Sequence, residues 1–175
     1  MSRAFRCSVI PILSLLLSCP LLAQQTKSQP PPAPVPAQIS AASKIFISNG
    51  GGNRLETLGD TAFNGGPDRP YNEFYAAMKT WGRYQLVSSP SDADLVLEIS
   101  WALNDIGWRT PDPTAGQLRL VVVDPKTHVV LWTIKEYVRG AALLGNRDKN
   151  FDSAMNTAVE RLKALTTAGQ GAGAY

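Results

Sequence analysis

The chain has 175 residues, of which 17 are lysine or arginine, 14 are aspartate or glutamate and one is histidine. A formal net charge of +3, spread along the chain without a basic run, gives no electrostatic footprint for nucleic acid or for an acidic membrane surface.

The first 23 residues have the three parts of a bacterial export signal. Arg3 and Arg6 supply positive charge, Val9 to Leu17 is apolar, and Ala23 is a small residue suited to cleavage. We therefore expect residues 1–23 to be removed and the protein to be periplasmic or secreted. The apolar run is shorter than the roughly 20 residues of a spanning helix, so we expect no transmembrane helix.

Both cysteines, Cys7 and Cys19, lie in this signal. Cleavage after Ala23 leaves no thiol, no disulfide and no cysteine metal site, with 15 basic and 14 acidic residues. An alternative is that Leu16-Leu17-Ser18-Cys19 acts as a lipoprotein signal, in which Cys19 is lipidated. Pro20 fits that pattern poorly, so an outer-membrane lipoprotein is the second hypothesis.

Residues 24–43 are predicted to form a disordered linker. Their core, Pro30-Pro31-Pro32-Ala33-Pro34-Val35-Pro36, favours extended polyproline geometry and can bury little apolar area. A single domain is expected over residues 44–167, which is long enough to bury a core. Residues 168–175 are expected to be a flexible tail.

The first half of the domain is predicted to contain a strand and a helix. The strand covers Lys44–Ser48, stops at the glycines 50–52 and opens a long loop. The helix starts near Asp68 and Pro70 and ends at Gly82. Its apolar residues recur at helical spacing, namely Tyr71, Phe74, Tyr75, Met78 and Trp81.

Strands dominate the second half. After a brief strand at 84–87, residues 95–104 alternate between apolar and more polar side chains, the pattern of a strand with one buried face. The β-rich runs 117–123 and 129–138 are joined by Asp124-Pro125-Lys126-Thr127-His128, which predicts a hairpin with proline at the second place of a turn. A helix follows from near Asn150, with an apolar stripe comprising Phe151, Met155, Ala158, Val159, Leu162 and Leu165.

This order predicts an α+β domain with a mixed, mostly antiparallel sheet and two helices packed on one face. The first strand, the first helix and the strand from Leu95 should form a crossover unit whose two strands are parallel.

Two segments resemble a known family. Asp92-Ala93-Asp94-Leu95-Val96-Leu97-Glu98-Ile99, followed by the hairpin from Leu118 to Trp132, resembles a family of exported bacterial α/β domains. These are similar to the curli-secretion lipoprotein and to the amino-terminal domain of the Tol-system translocation protein. The resemblance covers about Lys44 to Leu165 and implies an assembly or interaction role. Its motifs are turns and strands, so it assigns no functional residue.

Candidate chemistry is sparse. His128 is predicted to be a solvated turn residue rather than a metal ligand, and the glycines 50–52 lack the Lys-Ser/Thr of a phosphate-binding loop. The carboxylates Glu98, Asp92 and Asp94 could in principle form an acid pair for glycoside hydrolysis. Structural roles fit them better, with Asp92 and Asp94 bonding backbone at a turn.

Trp81, Trp101 and Trp132 fall in periodic elements and are predicted to be core, whereas Trp108 lies beside Arg109 between two strands. A Trp-Arg pair is the composition of a binding hot spot, so Trp108 and Arg109 are the predicted contact residues.

The sequence thus predicts a non-catalytic cell-envelope domain that mediates interaction or assembly, with an envelope protein or another envelope component as its partner. No catalytic, cofactor or metal residue is assigned. The alternative is a small-ligand binder or hydrolase with its site under the 49–70 loop.

Overall fold

The computed structural model describes residues 33–53, 63–103 and 115–171, which lie in a compact unit that begins at Ala33. The predicted signal peptide with Cys19, and the predicted contact residues Trp108 and Arg109, fall outside these ranges.

The described residues of this unit form three α-helices and a five-stranded sheet. The helices are α1 (Ala37–Ala41), α2 (Arg69–Trp81) and α3 (Leu144–Gly171). The strands are β1 (Lys44–Asn53), β2 (Gln85–Leu86), β3 (Leu95–Leu103), β4 (Gly116–Val123) and β5 (Val130–Val138). A short 3-10 helix, Pro90–Asp92, leads into β3.

The strand order is β2-β1-β3-β4-β5. β1 is parallel to both β2 and β3, whereas β3, β4 and β5 are antiparallel. One row of paired residues crosses four strands through Ile47, Leu97, Val122 and Trp132. The predicted α+β class, the mixed sheet and the parallel pairing of the first strand with the Leu95 strand are confirmed.

Both long helices cover the same face of the sheet. In β3 the alternation is as predicted, since Leu95, Leu97, Ile99 and Trp101 are at most 1% exposed while the residues between them are only half-buried. The same face continues in the neighbouring strands with Ile45, Ile47, Leu118, Leu120, Val122, Ile134 and Val138. The helices bury their apolar stripes against it, with Phe74, Met78, Phe151, Met155, Ala158 and Leu162 in the core.

α2 begins and ends where its sequence predicts. Asp68 occupies the N-cap position, Pro70 lies in the first turn, where its missing N–H costs nothing, and Gly82 ends the helix with a φ of 67°. The Gly82 N–H donates to the Met78 carbonyl at 3.1 Å. Trp81 and Trp132, which the sequence predicts to be core residues, are only half-buried and pack against the core.

Order begins earlier than predicted. The last part of the predicted linker carries α1, and Ile39 within it is fully buried in the core. Proline enrichment drew the predicted boundary to residue 43, yet the prolines end at Pro36 and the apolar Ile39 follows within one turn. At the other end, α3 starts at Leu144 and reaches Gly171, so it overlaps the predicted tail.

The glycines 50–52 continue β1 instead of ending it. A Cβ on Gly50 would meet the Glu98 and Ser100 side chains at 3.0 Å, so glycine lets β1 lie closely against β3. The register shifts between Asn49 and Gly52, and Gly51 has a φ of +68°, the conformation of a glycine at a β-bulge. The glycine run is therefore a bulged strand.

The packing of Trp101 depends on Gly116, because a Cβ there would lie 2.2 Å from Cζ2 of that indole. We expect Gly116→Ala to lower the free energy of unfolding by about 1–3 kcal/mol, the usual cost of overpacking a core. Gly145→Ala is the matched control, since a Cβ at Gly145 meets nothing within 4 Å. Urea unfolding measures both, and equal stabilities would show that the Trp101 site can relax.

Candidate functional site

The densest polar cluster centres on Arg69, the first residue of α2. Its side chain is 12% exposed and contacts three carboxylates. Nε donates to Glu73 at 2.5 Å, Nη1 to Asp148 at 2.6 Å and Nη2 to Asp152 at 2.6 Å. Because Asp148 and Asp152 belong to α3, the guanidinium joins the two long helices; we call these four residues the Arg69 clasp.

The guanidinium also stacks on aromatic rings. Its Cζ lies 4.5 Å from the ring centroid of Phe151 and 5.5 Å from that of Phe63. The two rings are 4.5 Å apart, and Phe63 meets Trp101 edge-to-face at 5.1 Å. Cation–π attraction and dispersion therefore add to the ion pairs, and the clasp rests directly on the core.

The clasp holds the turn that precedes α2. Nη1 of Arg69 donates to the Asn64 carbonyl at 2.9 Å, and the backbone N–H of Asn64 donates to Asp148 Oδ1 at 2.8 Å. The Asn64 amide donates to the other oxygen of Asp148 at 2.5 Å. These bonds fix the turn at Asn64 to Asp148 of α3, which lies 84 positions further along the sequence.

These contacts set the charge state of the clasp. Burial alone would lower the pKa of Arg69, but the hydrogen bonds that it donates to Glu73 and Asp148 raise it above its ordinary value. Burial alone would raise the pKa of Asp148, yet the Asn64 backbone N–H and Arg69 lower it below its ordinary value. Both groups are therefore held in their ionised forms.

A groove of about 390 Å³ borders the clasp, lined by Asn64, Gly65, Arg69, Asn72, Glu73 and Asp148. It lies at the end of the 49–70 segment, where the sequence placed the alternative ligand site. The groove is shallow and open, and its two carboxylates already accept hydrogen bonds from Arg69. The acid–base pair that hydrolysis needs is not free there.

The predicted acidic candidates have different structural surroundings. Asp94 accepts hydrogen bonds from the Ser43 and Lys44 backbone N–H groups, both at 2.8 Å, and these bonds lower its pKa. The prediction that Asp94 bonds the backbone of its own turn is thus wrong, because the start of β1 lies closer. Glu98 lies half-buried in the middle of β3, and Asp92 ends the 3-10 helix.

His128 is an exposed turn residue with a φ of 58°. Its N–H donates to the Asp124 carbonyl at 2.8 Å, and Asp124 in turn accepts from Lys126 N at 2.8 Å and Thr127 Oγ1 at 2.9 Å. The predicted hairpin turn is confirmed. Within the described ranges, His, Cys, Asp and Glu form no cluster of three that could hold a metal ion.

The second distinctive surface is the face of the sheet opposite the helices, which we call the open face. In β4 and β5 it carries Gln117, Arg119, Thr133, Lys135 and Tyr137, together with Val121, which is only 4% exposed, since these residues alternate with those that pack under the helices. Arg119 and Lys135 are directly opposite each other, both exposed, and Tyr137 is 55% exposed. No helix of the described chain covers this face.

Neither surface was found from the sequence. The only local signal for the clasp is the i,i+4 spacing of Arg69 and Glu73, which is common on helices. Its other partners are 79 and 83 positions away and meet Arg69 only after α2 and α3 pack together. The open face needs the β4–β5 register, which a one-residue slip would invert.

No family model and no curated protein matches the chain. Three solved structures align with it at low identity. The PelC L103M dodecamer from Paraburkholderia phytofirmans is 13% identical over 71% of this chain and 88% of that one, with a TM-score of 0.44. The C-terminal domain of LpoB from Salmonella enterica is 14% identical over 56% and 84%, with a TM-score of 0.37.

The third is protein XCC0632 from Xanthomonas campestris, a DUF330 protein that is 12% identical over 79% of this chain and 92% of that one, with a TM-score of 0.48. Among the described residues, none of the helices combines the length and the apolar character that crossing a membrane requires.

We expect Arg69→Met to lower the free energy of unfolding by about 2–4 kcal/mol, because it leaves partly buried carboxylates without their donor. Lys163→Met is the control, since Lys163 pairs with a single exposed carboxylate, Glu160, three residues away and should cost less than about 1 kcal/mol. Denaturant unfolding of both variants tests this. Equal losses would mean that the clasp adds no more than a surface ion pair.

The lowered pKa of Asp148 makes stability depend on pH. Its ionised form stabilises the fold fully above the carboxyl pKa of the unfolded chain, about 4, and this contribution is lost as pH falls through the lower folded value. Between about pH 5 and pH 2 the wild type should therefore lose more stability than Asp148→Asn. Urea unfolding across this range measures the two slopes, and parallel curves would contradict the assignment.

Proposed function

We propose that this protein is a non-catalytic module of the cell envelope that binds another envelope component through the open face of its sheet. The export signal at residues 1–23 supports the compartment. The observation that carries the proposal is the open face itself, where the exposed, like-charged side chains of Arg119 and Lys135 are paired across two strands.

Like charges directly opposite in a sheet are destabilising. Among the described residues, neither side chain forms an ion pair. Glu98, an acid on the same face in β3, lies opposite Val121, which is two residues from Arg119 in β4. A surface that keeps this arrangement is suited to a partner that supplies the opposite charge.

The clasp supports a binding role over hydrolysis. Its carboxylates hold Arg69 and Asn64, so their hydrogen bonds fasten a turn and two helices together. This stiffens the scaffold that carries the sheet. Among the described residues, both carboxylates of the groove bind Arg69, so the alternative of a hydrolase under the 49–70 loop finds no free acid pair there.

Trp108 and Arg109 belong to the same proposal. They lie in the segment that joins β3 to β4, the strand that carries Arg119. We propose that they extend the contact beyond the end of the sheet. Periplasmic or secreted location follows from cleavage after Ala23, with lipidation at Cys19 as the second possibility.

The test is site-specific photo-crosslinking in cells of the native host. A benzoylphenylalanine placed at Gln117 or Tyr137, on the open face, should crosslink to one discrete envelope component. The same residue at Asn156, which is exposed on α3, is the control and should yield no such product. Trp108→Ala should weaken the purified complex by about 2 kcal/mol, roughly 30-fold, without a change in melting temperature.

Equal crosslinking from Asn156, or none from either open-face position, would reject the open face as the contact surface. A fall in melting temperature for Trp108→Ala with unchanged crosslinking would return Trp108 to the core.

A further inference from the structure

β5 is the last strand of the sheet, and its outer edge meets no other strand of the described chain. The strand is nine residues long, which is ample for pairing with another chain. Val129, directly before this strand, and Val130 and Tyr137 within it are each more than half exposed. This combination is unusual, since proteins ordinarily shorten or cover such edges.

The direction of the backbone groups follows from two hydrogen bonds. The Lys135 carbonyl accepts from Arg161 Nη1 on α3 at 3.5 Å, so it points away from β4. The Arg119 carbonyl accepts from Ser100 Oγ on β3 at 3.4 Å, so it points away from β5. Arg119 and Lys135 are therefore a non-hydrogen-bonded pair.

By the alternation of an antiparallel ladder, Thr133, Lys135 and Tyr137 all direct both their N–H and C=O groups outward. Their side chains lie on the open face, opposite the core residues Ile134 and Val138. One edge thus presents the backbone groups of Thr133 and Tyr137 and the Lys135 N–H beside the side chains of Arg119 and Lys135, while the Lys135 carbonyl already accepts from Arg161 Nη1.

We propose that the outer edge of β5 pairs with an extended acidic segment of another protein, which adds a sixth strand and places carboxylates beside Lys135 and Arg119. This rests on the proposed function and names the chemistry of the partner. Main-chain hydrogen bonds supply affinity, and alternate side chains of the added strand supply specificity.

The charges argue against a second copy of this chain as the occupant. Self-pairing that keeps the two open faces continuous adds a second Lys135 and a second Arg119 to the same surface, which increases the like-charge repulsion. An acidic strand relieves it. Arg161 does not alter this balance, because its guanidinium already lies 2.8 Å from Glu136 Oε1.

The probe is a capped, fluorescent nonapeptide that alternates valine and glutamate. It should bind the purified mature protein, measured by anisotropy, and should slow hydrogen exchange at the amides of Thr133, Lys135 and Tyr137. The same peptide with lysine in place of glutamate, and the glutamate peptide with a central proline, are the matched controls. Both should bind at least about tenfold more weakly, because one loses the charge and the other a ladder bond.

Two variants, Lys135→Glu and Thr133→Pro, locate the site, and Lys149→Glu is their control. Lys135→Glu should weaken the glutamate peptide by about tenfold or more and reverse the preference towards the lysine peptide. Lys149→Glu makes the same change of charge on the exposed surface of α3 and should leave both affinities within about threefold. Thr133→Pro removes an outward N–H and should abolish the exchange protection, with circular dichroism to confirm folding.

Equal binding of the glutamate peptide and its proline variant would mean that only charge is recognised and would overturn strand addition. Self-association of the protein at its β5 edge, without peptide binding, would assign the edge to a second copy and also overturn it. If crosslinks from Gln117 persist while every peptide fails, the open face remains a contact surface and only the edge proposal is lost. If the crosslinks from Gln117 and the peptide binding both fail, the proposed function is rejected together with the edge proposal.

Discussion

The structure depends on one constraint, which is that two long helices can cover only one side of a five-stranded sheet. Side chains alternate between the faces with a period of two, so the covered side takes Leu97, Leu120 and Ile134 into the core. The side chains between them lie on the opposite face, where Arg119 and Lys135 are exposed although Val121 is only 4% exposed. The packing of the core thereby decides which surface is available for recognition.

Charge is divided between the two sides in different ways. On the covered side Arg69 is surrounded by three carboxylates and two aromatic rings, so its charge is neutralised and used to fasten turn and helices. On the open side Arg119 and Lys135 stand opposite each other and bind no carboxylate within the described part of the chain. The first arrangement stabilises the fold, whereas the second is at its most favourable when an anionic partner is present.

The sequence predicts local structure well and juxtaposition poorly, for physical reasons. α2 and β3 were predicted nearly residue by residue, because caps and strong periodicity are local properties. The predicted first strand ends at Ser48 because a glycine run ordinarily signals a turn. In the structure β1 continues, and Gly50 is required for the close approach of β1 to β3. α1 was missed because a five-residue helix has little propensity signal and is held by tertiary burial of Ile39.

The two surfaces lay beyond sequence reasoning for a related cause. Arg69 meets Asp148 only when α2 and α3 share one face of the sheet, and that placement is a property of the whole fold. Arg119 and Lys135 become neighbours only when the hairpin register is known to the residue. A hairpin was predicted, but its register is set by the turn at Asp124 and by the bulge between Val122 and Val123, which pattern alone does not give.

The same register explains how a long, partly apolar edge strand can persist without uncontrolled pairing. Charged side chains on an edge are a common defence against aggregation, and Lys135 lies at the middle of β5 with Arg161 beside it. This defence is selective, because positive charge at the edge repels a cationic strand or a second copy of the same edge and attracts an acidic strand. The residues that protect the edge from its own copies are therefore the ones that would recognise an acidic partner strand.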